Sequence, residues 1–265
     1  VWLTTIGGID WPHSYAQTAT SIEKQKNELR RILDRLQLAN INTVLLQTRI
    51  RGTVIYPSAY EPWDGCLSGV PGKSPGYDAL QFAIDECHRR GMELHAWINP
   101  YRVTAGKDEM PAKNHVYYKH PEWFLHYADG KIYFDPGLPE SRNFIDEVVK
   151  GLLKYDIDAI HMDDYFYPYP VKGVDFPDSA SYAKYGNGMD RGDWRRHNVD
   201  LLIEQLHKTI SAIKPWVRLG ISPFGIWRNK STDPTGSETN GLQCYDALYA
   251  DCPKWTAEGW VDYMA

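Results

Sequence analysis

The fold this sequence predicts is a parallel α/β barrel, and three observations carry the expectation. Apolar strand-length runs alternate with amphipathic helical stretches. Segments that follow the runs are long and rich in aromatic and polar residues, while those that precede them are short, as in a barrel whose site lies at the C-terminal ends of its strands. No GxGxxG follows the first run, which argues against an open dinucleotide-binding sheet.

The elements follow in order. VWLTT (1–5) is the first strand. Residues 22–39 place Ile22, Leu29, Ile32, Leu33 and Leu36 at helical spacing, and NTVLLQT (42–48) is the second strand. Tyr77 to Arg90 form a helix stopped by Gly91, and MELHAWI (92–98) is the third strand. A helix from Glu140 to Lys154 precedes the fourth strand, IDAIHMD (157–163). Asp193 to Lys214 is a long helix with Leu201, Leu202, Leu206 and Ile210 on one face, halted near Pro215. VRLGIS (217–222) is the fifth strand, a helix spans roughly 244–257, and WVDYMA begins a sixth. The 265 residues are ample for one core, so residues 1–265 are expected to be a single domain. A (β/α)8 TIM barrel needs two more strand-helix units, so the expectation is a TIM barrel cut short at its C-terminus.

Composition narrows the function. Net charge is −5 and no basic run interleaves with aromatics, which speaks against a nucleic-acid partner. No run of about eighteen apolar residues suggests a membrane span. No signal peptide is present, and the chain opens directly on the apolar VWLTTI, as a trimmed or mature product does. Cys66, Cys87, Cys244 and Cys252 form no CxxC pair and have no histidine at zinc-finger spacing; one or two disulfides stay open, with buried free thiols the plainer reading. No metal or other cofactor is expected. The unusual quantity is the aromatic content: 10 Trp, 18 Tyr and 7 Phe. Many sit in Pro- and Gly-rich loops, including Tyr60 and Trp63 in YPSAYEPWDG and Tyr165 and Tyr167 in YFYPYP, where flat rings with polar edges suit sugars.

Side chains alternate along a strand, so parity assigns faces. With Leu94, Ala96 and Ile98 against the helices, His95, Trp97 and Asn99 point into the barrel. With Ile160 and Met162 outward, His161 and Asp163 point inward, and Gln47 and Arg49 share the inward parity of Leu45. Polar groups thus converge at the C-terminal ends of three strands; the plain alternative is a satisfied polar layer. The adjacent Asp163 and Asp164 precede a stretch too proline-rich to start a helix, which weakens their reading as an N-cap. Asp163 is expected inside and Asp164 at the rim, with burial and like charge driving their pKa values apart, as acid/base work requires. Glycoside hydrolysis normally needs a second carboxylate. Glu238, in NKSTDPTGSETNG, is the candidate, with Asp233 behind it; either could equally be a solvated loop acid.

The stretches VWLTTIGGIDWP, QTRIRGTVIYPSAYEPW, PGYDALQFAIDECHRRGMELHAWINPYRV, AIHMDDYFYP and ISPFGIWRN, taken together and in order, resemble the glycosyl hydrolase-like 10 family. The resemblance implies a TIM-barrel glycosidase-like domain of bacterial envelope proteins, periplasmic or extracellular and often lipoproteins, so that any membrane attachment is a lipid anchor outside this chain. It implies a polysaccharide substrate, peptidoglycan glycan strands among the candidates. It places the family's acid pair on Asp163 and Asp164, and its third-strand cluster on His95, Trp97, Asn99, Tyr101 and Arg102. Its arginine motif falls on Arg49 and Arg51, and its fifth-strand loop on Trp227, Arg228 and Asn229. Arg49, Arg51 and Arg102 suit an anionic or lactyl-bearing glycan through bidentate contacts, unless they pair with the site's own acids. Two rival readings stand beside the glycosidase: a non-catalytic carbohydrate-binding barrel, and a metal-dependent hydrolase or deacetylase using His95, His161 and Asp163, for which HxH or HExxH spacing is lacking.

Overall fold

The computed structural model describes residues 1–107 and 109–265. The chain opens with a short strand, β1 (Trp2–Leu3), and helix α1 (Ala19–Leu38) follows. α1 starts a turn earlier than the apolar spacing implies, because Thr18 and Ser21 form a reciprocal capping box that satisfies its first amides. Its buried face carries Gln25, Leu29 and Leu33, and removing a leucine such as Leu33 from water is worth about 1.5–3 kcal/mol. β2 (Thr43–Arg49) leads to a single helical turn, α2 (Gly65–Ser68), then α3 (Ala79–His88) and β3 (Glu93–Ile98).

After β3 a hairpin of β4 (Phe124–His126) and β5 (Ile132–Phe134) turns at Asp129–Gly130 and docks on residues 101–104, with Phe134 N–H on the Tyr101 carbonyl and Val103 N–H on the Ile132 carbonyl. α4 (Pro139–Leu152) precedes β6 (Ala159–Met162); α5 (Ser179–Tyr185) and the long α6 (Arg191–Ile213) precede β7 (Arg218–Ile221). The expected helix near 244–257 is two short ones, α7 (Cys244–Ala247) and α8 (Cys252–Ala257), interrupted where Tyr249 takes a positive φ; β8 (Tyr263–Met264) closes the run. All four cysteines are free thiols.

Among the described residues, β1, β2, β3, β6, β7 and β8 form one parallel sheet in that order, with β1 and β8 at its open edges. The sheet is six strands wide, not eight, and it is curled. β1 and β6 lie three strand spacings apart, roughly 14 Å in a flat sheet. Yet the Trp2 ring meets the His161 ring edge-on at 4.8 Å and the Trp97 ring at 4.9 Å. Side chains from distant strands can touch only across a concave interior.

Strand register sorts that interior into layers. Trp2, Leu45, His95, Ala159 and Arg218 lie at one level; Gln47, Trp97, His161, Gly220 and Tyr263 lie at the next. Asn99, Asp163 and Ser222 continue the same faces at the C-terminal mouth. In the middle layer Gly220 leaves a gap that the Tyr263 ring fills: a Cβ on Gly220 would stand 1.9 Å from a Tyr263 ring carbon. Tyr263 thereby reaches over its neighbour strand and places its hydroxyl 2.7 Å from His95 Nδ1 and 2.8 Å from His161 Nδ1.

Gly220→Ala should therefore cost about 1–3 kcal/mol of stability through overpacking. In a Tyr263→Ala background the same change should cost much less. Thermal unfolding of the four proteins checks this; equal costs in both backgrounds would mean that the two residues are not coupled.

Candidate active site

Asp163 sits one residue beyond β6, at the mouth. Trp97 donates its indole N–H to Oδ2 at 3.0 Å. Asn99 donates its amide to Oδ1 at 3.1 Å, and Tyr165 its backbone N–H to the same oxygen at 3.2 Å. The Asn99 amide cannot flip freely, since its Oδ1 accepts the Arg102 backbone N–H at 2.9 Å. Asp163 keeps a partly exposed edge toward the mouth. Even so, desolvation lifts it from 3.8 to about 6; the nearby Asp164 charge adds to the rise, against the lowering effect of its N–H donors. Asp164, next along the chain, accepts the Tyr169 hydroxyl. Tyr165 and Tyr169 pack edge to face at 5.5 Å beside this pair, both partly exposed.

Below the carboxylate the interior is polar but uncharged at its centre. His161 Nε2 lies 3.1 Å from the Ser222 hydroxyl, and burial pushes its pKa down to about 3. His95 Nε2 lies 3.1 Å from Glu93 and is lowered by burial too, with the Glu93 contact opposing. Both ring nitrogens of each histidine are thus engaged by protein groups, Tyr263 supplying the shared one. The histidines act as a packed hydrogen-bonded floor, and the proposed His95–His161–Asp163 metal set is not preorganised.

Several sequence candidates have other work. Between Gln47 and Arg49 the β2–β3 register shifts by one residue, which pairs Arg49 with the outward-facing Ile98. Arg49 therefore leaves the interior and is fully buried against Glu61 in a fork, with Nε–Oε2 at 2.7 Å and Nη2–Oε1 at 2.5 Å. Its remaining amine donates to the Asn99 and Pro100 carbonyls. It supports the site and cannot grip a ligand. Gln47 accepts the Thr5 and Ile6 amides with its side chain and ties β1 to β2. Arg102 donates to the Thr104 and Ala105 carbonyls and lies over the Tyr165 ring at 5.7 Å. Tyr101 and Tyr167 are core residues, the latter receiving the Asn198 amide at 3.2 Å. Tyr60 faces α4, donating its hydroxyl to Glu147 at 2.9 Å, and Trp63 packs partly buried beside the core. In the loop after β7, Arg228 forks onto Asp246 and stacks on Tyr245, Trp227 lies against Tyr245, and Asn229 staples the loop through Gly241 and Thr239. Glu238 is 82% exposed and paired with Lys230 at 2.7 Å, and so stands apart from the Asp163 cluster as a solvated loop acid. Among the described residues Arg51 alone of the four arginines Arg49, Arg51, Arg102 and Arg228 has no hydrogen bond; a Glu109 carboxylate oxygen lies 3.8 Å away.

The match to known proteins runs through the whole chain: the family model described as glycosyl hydrolase-like 10 covers residues 1–265. The chain belongs to the glycosyl hydrolase-like 10 family. The protein named glycosyl hydrolase YngK of Bacillus subtilis (strain 168) is 46% identical over 271 residues, covering 100% of this chain and 52% of that protein. Glycosyl hydrolase DigH of Escherichia coli (strain K12) is 38% identical over 283 residues, covering 100% of this chain and 64% of that protein. The chain thus spans between half and two thirds of these relatives. Among solved structures it is similar to α-L-fucosidase isoenzyme 2 from Paenibacillus thiaminolyticus, with a TM-score of 0.53 at 17% identity over 78% of this chain and 30% of that one. A hypothetical protein from Ruminiclostridium thermocellum ATCC 27405 gives 0.52 at 15% identity, over 84% and 96%. At such identities the likeness is one of fold.

Sequence reasoning missed three residues that shape this family member's site: Glu61, Tyr169 and Tyr263. Tyr169 belongs to the same aromatic run as Tyr165 and could have been included; the other two become visible only once the register shift and the curl of the sheet are known.

The raised carboxyl pKa has a consequence for stability. Between about pH 4 and pH 6 folded Asp163 keeps a proton that the unfolded chain has released, so stability falls as pH rises through that window. The contribution is on the order of 3 kcal/mol. Urea unfolding of the unmutated protein and of Asp163→Asn from pH 4 to 7 should show this falling component only in the former; parallel profiles would contradict the raised pKa.

Proposed function

We propose that this chain carries the catalytic carboxylate of a glycoside hydrolase that acts on a bacterial polysaccharide, with peptidoglycan glycan strands among the candidate substrates. The observation that carries the reading is Asp163: a carboxylate at a strand end, open on one side and held on the other by three N–H donors. Those donors can only give hydrogen bonds, so they favour the ionised form, while burial keeps that form reactive at a pKa of about 6. The charged oxygen facing the mouth suits the role of nucleophile in a retaining reaction or base in an inverting one. Asp164 tunes it by like charge and is itself aimed by Tyr169, and the exposed faces of Tyr165 and Tyr169 offer stacking surfaces to a sugar ring.

In the whole protein, two further strands between β8 and β1 would close the barrel; the exposure of Trp2 and Met264 at the open edges supports this. A bacterial envelope location, periplasmic or extracellular, fits a glycan substrate of this kind. The rival reading, a carbohydrate-binding barrel without turnover, leaves the lifted pKa without a use.

Peptide-free peptidoglycan glycan strands incubated with the protein, or with a longer form that includes any closing strands, should yield shorter oligosaccharides by mass spectrometry. Asp163→Asn should lower turnover by at least about a thousandfold, whereas Glu238→Gln should stay within a few-fold of the unmutated protein. For the active protein kcat/KM should rise with pH through about 6. Binding without products from any form would favour the binding barrel.

A further inference from the structure

A second cleft, of about 550 Å³, opens on the same face between the loops that follow β1, β2 and β3, and Asp163 is not part of its lining. That volume lies within the roughly 300–1,000 Å³ of small-ligand sites. One wall is bare backbone: Gly7 and Gly8 both take positive φ, 59° and 67°, and a Cβ on either would meet nothing within 4 Å. Tyr15 is 58% exposed, yet its ring is fixed, because it lies against Gly69 closely enough that a Cβ there would stand 2.9 Å from a ring carbon. One face of the ring is thus seated on the protein while the side chain stays open to the cleft. Met110 and Pro111 add an apolar wall.

The charged groups of this cleft differ in how far the protein satisfies them. Asp64 accepts the Thr53 hydroxyl at 2.6 Å and caps α2 through the Cys66 amide at 2.8 Å. Glu109 takes the Ala105 amide at 2.6 Å with one oxygen. Among the described residues the Arg51 side chain, only 18% exposed, has no hydrogen bond, and its one ionic neighbour there, at 3.8 Å, is too distant for one. A guanidinium so far out of water, with a planar fork of donors that no described residue fills, is suited to a planar anion.

We infer that this cleft is a second saccharide subsite that takes a carboxylate-bearing sugar, with Arg51 gripping the carboxylate and the open face of Tyr15 supporting the ring. The inference rests on the glycosidase reading for its substrate class. The cleft is joined to the reactive carboxylate through the loop after β3: Arg102 holds Asn99 beside Asp163, and the next residue, Val103, lines the cleft. A glycan strand crossing the face would have its acidic substituent read here while its scissile bond lies at Asp163.

The test is calorimetric and uses the Asp163→Asn protein, so that binding is read without turnover. Two probes are used, a peptide-free peptidoglycan oligosaccharide, whose carboxylate is a lactyl ether, and an oligogalacturonate, whose carboxylate is on the ring. Each is offered in native form and with its carboxylates reduced to alcohols. One native probe should bind at least about tenfold more tightly than its reduced form, and which probe does so identifies the kind of acidic sugar. Adding Arg51→Gln should abolish the preference, Arg51→Lys should weaken it, and Glu109→Gln should preserve it; a thermal melt of each variant reports folding. A preference that survives Arg51→Gln, or the absence of any preference for both probes, overturns the inference. Absence of hydrolysis by the unmutated protein, with the preference intact, would count against the catalytic reading alone.

Discussion

A guanidinium sealed from water needs partners within the protein, and the way Arg49 finds them organises the mouth of this curled half-barrel. Glu61 accepts from two of its nitrogens, and the Asn99 and Pro100 carbonyls accept from the third. The loops after β2 and β3 are thereby locked to each other at the level where the strands end. Replacing either partner would leave a buried charge alone, which typically costs 3–5 kcal/mol. What the pair secures is geometry. With the Asn99 backbone pinned, its side chain is held between the Arg102 amide and Asp163, and the Asp163 carboxylate inherits that position.

Beneath this sits an interior that is polar without being charged at its centre. Two histidines kept neutral by burial share the Tyr263 hydroxyl, and Trp2 and Trp97 close around them. The arrangement depends on a missing side chain, since only glycine at position 220 lets Tyr263 lean across. A floor of neutral rings offers little solvation to a charge above it. That is the physical reason Asp163 stays hard to ionise although three N–H groups point at it. Fold and electrostatics meet at this point: the curl that brings β1 against β6 also makes the medium that raises the pKa of the carboxyl group.

Much of this was legible in the primary structure, because side-chain alternation is a reliable rule within a regular strand. His95, Trp97, Asn99, His161 and Asp163 face inward as alternation requires, and Trp97 and Asn99 meet at the Asp163 carboxylate. The same rule misplaced Arg49, because one extra residue in β2 reverses the face and leaves no mark on hydropathy. Loop aromatics were ambiguous for a different reason. Tyr101 and Tyr167 fill the core beneath Pro-rich loops while Tyr165 and Tyr169 stay at the mouth, and composition cannot separate the two outcomes. The β4–β5 hairpin does carry a signal, the Asp129–Gly130 turn between aromatic-rich runs, but it is short beside the helix-strand rhythm of the chain. Glu238 looked suitable by position in a loop, but only its exposure and its pairing with Lys230 reveal a solvated acid.

The electrostatics of this mouth converge on the ionisation of one carboxyl group. Carbon-detected NMR of aspartate-labelled protein, with the Asp163 signal assigned by its disappearance in Asp163→Asn, measures that ionisation directly. A midpoint near pH 6, moving when Trp97 is replaced by Phe, is the result expected of a carboxylate held by donors over a low-dielectric floor. Titration near 4, as for an ordinary surface aspartate, would contradict it.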